Sequence, residues 1–304
     1  GNTGTLALTG YTFRGWCTTN NNSDPRTCGG TTYAANDTFT INANTNLYAL
    51  WNQNQTISLA DSSTVYGNTI NLTSLLTNND LGTGTVTYSV TAGSNACSIS
   101  STTLTALIAT GTCTVQASKA ASTGYNSATA SATITLTKRL LTVKAADASK
   151  VSGQSDPAFT SYTITSGTLY SSDTITSVTA ARADAGGNTA GTYTITISAV
   201  NFASNRSDSY TVTTATGTFT VTAATYTVTY NAKNSDNTNT TSGTAPTDPS
   251  SPYTSGATVT VLGNTGTLAL TGYTFRGWCT TNNNSDPRTC GGTTYAANDT
   301  FTIN

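Results

Sequence analysis

The sequence predicts an all-β protein, and three observations lead to that class. Thr, Ser, Asn, Ala and Gly dominate the 304 residues, while Glu, His and Met are absent, so strong helix formers are scarce. Apolar residues make up 36% of the chain and recur in alternating runs, as half-buried strands require. Clusters of Gly, Asn, Asp and Ser, which favour turns, separate these runs. We therefore expect folded β modules rather than a disordered Ser/Thr-rich chain.

An internal repeat is the most informative feature of the chain. Residues 1–42 recur letter for letter as residues 263–304, an offset of 262 residues. A tandem array produces such an overlap, whereas a single globular enzyme has no use for a verbatim second copy. We therefore expect the sequence to be a slice of a longer repetitive protein, with a function in reach, attachment or fibre formation.

Turn clusters divide each period into three predicted modules of about 85–90 residues, a normal size for small β domains. We expect the C-terminal part of a repeat at residues 1–51 (copy 1), a second module at 52–137 and a third module at 138–224. Residues 225–304 (copy 2) are expected to be the next copy of the repeat, lacking its last strand. Predicted strands of the repeat cover residues 226–230, 258–261, 273–278 and 300–303, and 47–51 read from copy 1.

Three motifs identify the repeat type. The first is Gly-Tyr-Thr-Phe-Arg-Gly-Trp at residues 272–278, the second Tyr-Thr-Val-Thr-Tyr-Asn-Ala at 226–232, and the third Leu-Tyr-Ala-Leu-Trp at 47–51. Together they resemble the Listeria–Bacteroides repeat, also called the internalin B-repeat, which implies a small β-grasp-like domain of surface proteins. Its signature core would consist of Phe13, Gly15, Trp16, Trp51, Phe275, Gly277 and Trp278. A sugar-binding Trp platform is the alternative, and core packing is the favoured interpretation.

The other two modules resemble two families of sandwich domains. The run from Cys97 to Cys113, followed by Gly-Tyr-Asn-Ser-Ala at 124–128, resembles a bacterial immunoglobulin-like domain, in which the paired cysteines flank a hairpin. Predicted strands of the second module cover residues 56–59, 86–90, 104–108, 113–117 and 132–136. The stretch 140–157, with 191–195 and 217–222, is similar to MBG-type domains of large bacterial surface proteins, although Ser152 stands where an aromatic residue is usual.

The cysteines fall into three closely spaced pairs, Cys17/Cys28, Cys97/Cys113 and Cys279/Cys290. An even number at short spacing in a β-rich chain indicates local disulfides formed outside the cytoplasm. Zinc is disfavoured, because the sequence has no His and no CxxC motif.

Composition also limits the chemistry that the chain can perform. Without His or Glu a Ser-His-Asp triad is impossible, and we predict no enzyme, no cofactor and no metal. The Asp residues lie mostly in turns, and calcium at residues 78–82 is the weaker alternative. Lys144 and Lys150 lie where some surface sandwiches form Lys–Asn isopeptide bonds, but solvated lysines are favoured. A net charge of −1 gives no nucleic-acid footprint, and no apolar stretch is long enough to span a membrane.

These observations predict a structural or adhesive segment of a very long bacterial surface protein. The predicted linkers at residues 51–56, 137–140 and 223–225 are short, so we expect an elongated, semi-rigid array of sandwich and β-grasp domains that forms a rod, fibre or sheath shaft. Expected partners are further copies of the repeat, both in tandem and laterally. A carbohydrate- or host-protein-binding module of an adhesin is the alternative.

Overall fold

Strands dominate the protein. The computed structural model describes residues 2–79, 81–184 and 186–304. Within these ranges the helices are two short 3-10 segments, Leu72–Leu75 and Ala203–Ser209, and no described helix has the length and hydrophobicity to cross a membrane. The all-β prediction is therefore confirmed.

The chain divides into two compact units. Unit 1 comprises Gly1–Lys144, Tyr162–Val178 and Ala199–Ala215, and unit 2 comprises Ala145–Ser161, Thr179–Ser198 and Thr216–Asn304. The module boundaries predicted from the sequence follow a different criterion, and they stay predictions.

Copy 1 forms a three-stranded antiparallel sheet in unit 1. Its strands are β1 (Tyr11–Cys17), β2 (Thr32–Tyr33) and β3 (Tyr48–Gln53), in the order β2-β1-β3. A bulge interrupts the pairing of β1 with β3 just before Gly15. A Cβ atom on Gly15 would lie 2.5 Å from the carbonyl oxygen of Tyr33, so this position of the signature accepts only glycine.

The second module is a sandwich in unit 1. Its strands are β4 (Ser58–Leu59), β5 (Ser62–Val65), β6 (Thr69–Asn71), β7 (Leu76–Thr77), β8 (Val86–Ala92), β9 (Cys97–Ser100), β10 (Thr103–Ala106), β11 (Thr112–Lys119) and β12 (Ala128–Thr137). The main sheets have the orders β6-β10-β9 and β5-β12-β11-β8, and β4 pairs with β7. The pairing of β5 with β12 is parallel, whereas β12 with β11 is antiparallel.

Both sheets of this sandwich contribute to one apolar core. Alternate residues of β11 are buried, as expected for a strand with one face toward the core. Leu104 from one sheet and Val115 and Ile134 from the other are fully buried in the same cluster. Leu72, in the first 3-10 segment, joins them, so this connection is part of the core.

The third stretch forms two sheets. Its strands are β13 (Arg139–Ala145), β14 (Ala148–Val151), β15 (Tyr162–Ser166), β16 (Ile175–Arg182), β17 (Gly191–Phe202), β18 (Tyr210–Ala215) and β19 (Gly217–Thr222). Unit 1 contains the sheet β15-β13-β18, in which β13 and β18 are parallel. The second sheet has the order β14-β19-β17-β16, in which β14 and β19 are parallel.

Copy 2, in unit 2, contains only short strands. They are β20 (Thr225–Tyr226), β21 (Tyr253–Thr254), β22 (Thr258–Thr260), β23 (Trp278–Cys279), β24 (Thr294–Tyr295) and β25 (Thr300–Thr302). They pair as β20 with β21, β22 with β25, and β23 with β24. The copies contain no helix among their described residues, and their β-grasp-like assignment stays a prediction.

Two predicted strands of copy 2 are wrong over most of their length. The strand expected at 273–278 is present only from Trp278, and the strand expected at 226–230 ends at Tyr226. The identical segment of copy 1 is a complete strand because β3 pairs with it. The local sequence is therefore insufficient, and the pairing partner decides whether this segment becomes a strand.

Candidate functional site

All six cysteines form disulfides. The bonds join Cys17 to Cys28, Cys97 to Cys113 and Cys279 to Cys290, with Cα–Cα distances of 5.6, 6.3 and 5.6 Å. The first and third close the same loop in copy 1 and copy 2. The second joins β9 of one sandwich sheet to β11 of the other, inside the apolar core. It therefore cross-links the two layers of the second module.

The stapled loop of each copy contains an Asp–Arg ion pair. Asp24 and Arg26 approach to 2.8 Å, and their counterparts Asp286 and Arg288 approach to 2.7 Å. Hydrogen bonds from the Arg288 side chain and amide lower the pKa of Asp286 to about 2, and the equivalent bonds from Arg26 lower the pKa of Asp24. The carboxylates cap the turn, in agreement with a structural role for these aspartates.

The signature residues of copy 1 form an aromatic core. Phe13 makes edge-to-face contacts with Trp16 at 5.2 Å and with Trp51 at 5.7 Å between ring centroids. Trp51 is buried, and its backbone amide donates to the carbonyl of Pro25 in the stapled loop at 3.0 Å. The β1–β3 pair thus joins the aromatic core to the disulfide loop, and the Trp side chains take part in packing.

Copy 2 has half of this core. Phe275 keeps its edge-to-face contact with Trp278 at 5.1 Å, and Tyr230 packs on Trp278 at 4.8 Å. The Trp278 indole donates to the carbonyl of Leu262 at 2.7 Å. Tyr230, Phe275 and Trp278 are among the residues that line a cleft of about 900 Å³ in copy 2.

A polar junction inside unit 1 connects copy 1 to the second module. Gln53 donates its amide to the carbonyl of Gly124 at 2.8 Å and accepts from the Asn126 amide at 3.0 Å. The Arg26 guanidinium lies 4.6 Å from the ring centroid of Tyr125, and it also bonds to the Tyr125 hydroxyl. Arg26 thereby links the stapled loop of copy 1 to the next module.

An aromatic junction inside unit 1 connects the second module to the third. The buried Tyr66 makes edge-to-face contacts with Tyr170 at 5.2 Å and with Tyr210 at 6.0 Å. Arg139 donates to the carbonyl of Tyr66 at 3.2 Å and to the side chain of Asn68 at 2.7 Å. Because Lys138 alone separates β12 from β13, these contacts fix a one-residue connection.

The Tyr210 hydroxyl is the most perturbed group of this junction. It donates to Asp173 at 2.6 Å and accepts from the Tyr170 amide at 2.9 Å. Burial, together with the hydrogen bond to Asp173, raises the pKa of Tyr210 to about 12. Arg206 lies 3.5 Å from the same carboxylate and balances its charge.

A buried ion cluster lies in the unit 2 part of the third module. Lys150 contacts Asp156 at 2.8 Å, and Arg182 contacts Asp156 at 2.9 Å and Asp184 at 3.0 Å. Lys150 also donates to the side-chain oxygen of Asn188 at 2.8 Å. The expectation of a solvated Lys150 is wrong, because the carboxylate in the same signature stretch makes its burial possible. Lys144 is half-buried.

Sequence reasoning missed the junctions and the ion cluster. The sequence contains one signal of the tyrosine junction, the glycine at position 67 next to Tyr66. A Cβ atom on Gly67 would collide with the Tyr170 ring. Across the described ranges, no three His, Cys, Asp or Glu residues converge as a metal site. Asp80, part of the calcium alternative at 78–82, lies outside the described residues.

We expect removal of the core disulfide to weaken the second module. The bond closes a loop with a sequence separation of 16 residues. Replacing Cys97 and Cys113 together by Ala should lower the local unfolding free energy by about 2–4 kcal/mol, because the unfolded chain loses a constraint. Hydrogen exchange of the β11 amides in the full chain measures this effect. The matched change of Cys17 and Cys28 should leave β11 protection unaltered, and equal effects of both pairs would contradict the assignment.

We expect stability to fall at high pH through Tyr210. An unfolded tyrosine ionises at about pH 10, whereas the pKa of Tyr210 in the fold is about 12. The stabilisation is complete below the unfolded pKa and is lost as the pH rises through the folded pKa. The unfolding free energy of the wild type should therefore decline more steeply in this range than that of Tyr210→Phe. Tyrosinate absorbance titrations of the wild type and of Tyr210→Phe measure the ionisation of Tyr210 directly. The control is Tyr48→Phe, which removes an exposed tyrosine. A midpoint for Tyr210 near the ordinary tyrosine value would refute the raised pKa.

The comparisons with known proteins identify one part of the chain. No curated protein matches the sequence significantly. Residues 141–220 match the family model of the MBG domain (YGX type), within the third module predicted at 138–224. The MBG-type resemblance is therefore confirmed for these residues, and the Listeria–Bacteroides and immunoglobulin-like resemblances stay predictions.

Proposed function

We propose that the chain is a load-bearing segment of a very long extracellular surface protein of a bacterium. Its modules would follow one another as the shaft of a rod, fibre or sheath. The match to a domain type that the sequence resemblance associates with large surface proteins supports this role, as do three disulfides, which persist in oxidising surroundings. The role is mechanical and needs no catalytic group.

The observation that carries the proposal is the parallel pairing of strands near the two ends of a module. In the second module β5, near the start, pairs with β12, at the end, through Ser62–Val65 and Ile134–Thr137. Tension applied at the two ends pulls parallel neighbours in opposite directions along their length. Their hydrogen bonds then share the load, whereas an antiparallel hairpin pulled from its open end separates one bond at a time.

The third stretch repeats this arrangement in each of its sheets. In unit 1, β13 pairs in parallel with β18 from Arg139 to Lys144. In unit 2, β14 pairs in parallel with β19 from Ala148 to Val151. Strands from the beginning and the end of the stretch are therefore neighbours in both sheets, so the same shear argument applies.

The junctions support transmission of force between modules. The one-residue connection between the second and third modules is fixed by contacts of Tyr66, Arg139 and Tyr210. The connection between copy 1 and the second module is fixed by contacts of Arg26 and Gln53. Side chains that pack across a short linker remove the freedom that a Gly/Ser tether would have. With a net charge of only −1, neighbouring shafts would repel each other weakly, so lateral association with further copies belongs to the proposal.

Single-molecule pulling of the full chain by its ends tests the shear pair. Tyr66 donates its amide to the carbonyl of Thr137, so the alternate amide of Thr64 faces β12 and that of Ser63 faces away. Thr64→Pro should lower the unfolding force of the second module because it removes a ladder donor. Ser63→Pro, on the same edge strand, should preserve the force. Equal forces for both variants would contradict a load-bearing β5–β12 pair.

Labelling of intact cells tests the location. Antibodies raised against the 304-residue chain should bind unpermeabilised cells that produce the protein, and thiol alkylation without reductant should modify none of its six cysteines. Labelling that requires permeabilisation, or free thiols in freshly isolated protein, would refute an extracellular shaft.

A further inference from the structure

The buried lysine of the third module lies against a carboxylate and a carboxamide at the same time. The side chain of Lys150 is 4% exposed, and its Nζ atom lies 2.8 Å from Asp156 Oδ1. The same Nζ donates to Asn188 Oδ1 at 2.8 Å. All three residues belong to unit 2. A buried charge needs one paired partner, which Asp156 provides. The second partner is an amide, whose carbon an amine can attack.

Two hydrogen bonds fix the backbone on which this carboxamide is carried. The Ser152 hydroxyl donates to the main-chain carbonyl of Asn188 at 2.6 Å. Ser152 is itself anchored to β19, because its amide donates to the carbonyl of Thr222 at 2.7 Å. Arg182 donates to the carbonyl of Gly187, the residue before Asn188. The turn between β16 and β17 is therefore held at the end of β14, and fixed orientation of two reacting groups lowers the barrier between them.

Asp156 is placed to accept a proton from the lysine. Its Oδ1 atom is buried beside Lys150 Nζ but has no aligned hydrogen bond within the described part of the chain, so a lone pair remains for a proton. The other oxygen, Oδ2, lies 2.9 Å from Arg182 Nε, which balances the charge of the carboxylate. The Asp156 side chain is 25% exposed, so a proton taken up there can pass on to solvent.

Apolar side chains surround the amine. Lys150 lies opposite Val221 in the β14–β19 pair, and Val221 is buried. The guanidinium of Arg182 lies 4.8 Å from the ring centroid of Phe219, which is fully buried. Water therefore has little access to the lysine, and desolvation of this kind activates a lysine as a nucleophile. Asn188, by contrast, is exposed at the surface, where a small leaving group can escape.

We propose that Lys150 and Asn188 form an intramolecular isopeptide bond, with Asp156 as the group that transfers protons. Lys150 Nζ gives one proton to Asp156 and becomes a neutral amine, whose lone pair forms a bond with Asn188 Cγ. Asp156 then passes its proton to Asn188 Nδ2 and takes up a second proton from Nζ. The Cγ–Nδ2 bond breaks, ammonia leaves, and the proton on Asp156 is released to solvent. The reaction consumes no oxidant and needs no cofactor.

The bond would lock one edge of the third module. It would join the end of β14 to the turn between β16 and β17, across a sequence separation of 38 residues. The strand that it fixes is the one that pairs in parallel with β19. The bond can form whether or not the chain bears load, so the inference goes beyond the proposed function and is tested separately from it.

Mass spectrometry of the reduced 304-residue chain, purified in its folded state, tests the proposal. The wild type should be lighter than its sequence mass by one molecule of ammonia. Trypsin should release a branched peptide that joins residues 145–182 to residues 183–206, because an acylated Lys150 is no longer cleaved. Neither segment contains cysteine, so disulfides do not mimic the branch. The full sequence mass, with only unbranched peptides, would overturn the proposal, and this result decides even where a variant fails to fold.

Matched variants identify the reacting groups. Lys150→Arg keeps a positive charge beside Asp156 but removes the nucleophilic amine, and Asn188→Ala removes the amide, so both should retain the full mass. Lys144→Arg, a change of the half-buried lysine on β13, should still lose ammonia. Asp156→Asn should slow the loss by about 100-fold or more, because it removes the proton acceptor. Ammonia loss in Lys150→Arg would indicate a succinimide instead and would overturn the bond, and an unchanged rate in Asp156→Asn would overturn the role of Asp156.

Pulling experiments separate the bond from the shaft function. The residues between Lys150 and Asn188 cannot extend when the two side chains are joined. Unfolding of the third module should therefore release a contour shorter by 38 residues in the wild type than in Lys150→Arg. At roughly 3.4 Å per residue this difference is about 130 Å. Equal lengths would refute the bond, whereas the unfolding forces and the cell labelling judge the shaft.

Discussion

Backbone pairing between strands is the constraint on which the rest of this structure depends. The same seven residues form a complete strand at Tyr11–Cys17 and only its last part at Trp278–Cys279. Composition, hydropathy and turn chemistry are identical in the two places, so none of them explains the difference. A strand leaves half of its amide and carbonyl groups unsatisfied until a neighbour accepts them, and in this chain β3 is that neighbour.

Disulfide cross-links supply part of the stability that a larger apolar core would give. Small β modules bury a limited fraction of their surface, and the buried apolar residues of copy 2 are Val259, Val261 and Leu268 rather than its signature aromatic residues. Their disulfide loops are shaped further by the Asp24–Arg26 and Asp286–Arg288 pairs. In the second module the core is continuous, and the Cys97–Cys113 bond spans it from sheet to sheet. The Cys97–Cys113 bond therefore reinforces a core that is already well packed. The loop disulfides of the two copies instead stabilise modules whose apolar packing is sparse.

Sequence patterns predicted the features that depend on local chemistry. The all-β class followed from composition, and the predicted strands at 86–90, 113–117 and 132–136 correspond to β8, β11 and β12, whose alternation reports one buried face. Features that depend on distant neighbours were not predicted. They are the absence of a strand at 273–277, the burial of Lys150 beside Asp156 and Arg182, and the tyrosine junction around Tyr66. The sequence shows that a lysine carries a charge and that a tyrosine has a hydroxyl. It does not show which distant residues these groups contact in the fold.

The strand pairing and the junctions together give a physical reason for a serial arrangement. In the proposed shaft, parallel neighbours from the two ends of a module would resist tension along the chain, and the one-residue connection at Lys138 would leave little slack between modules.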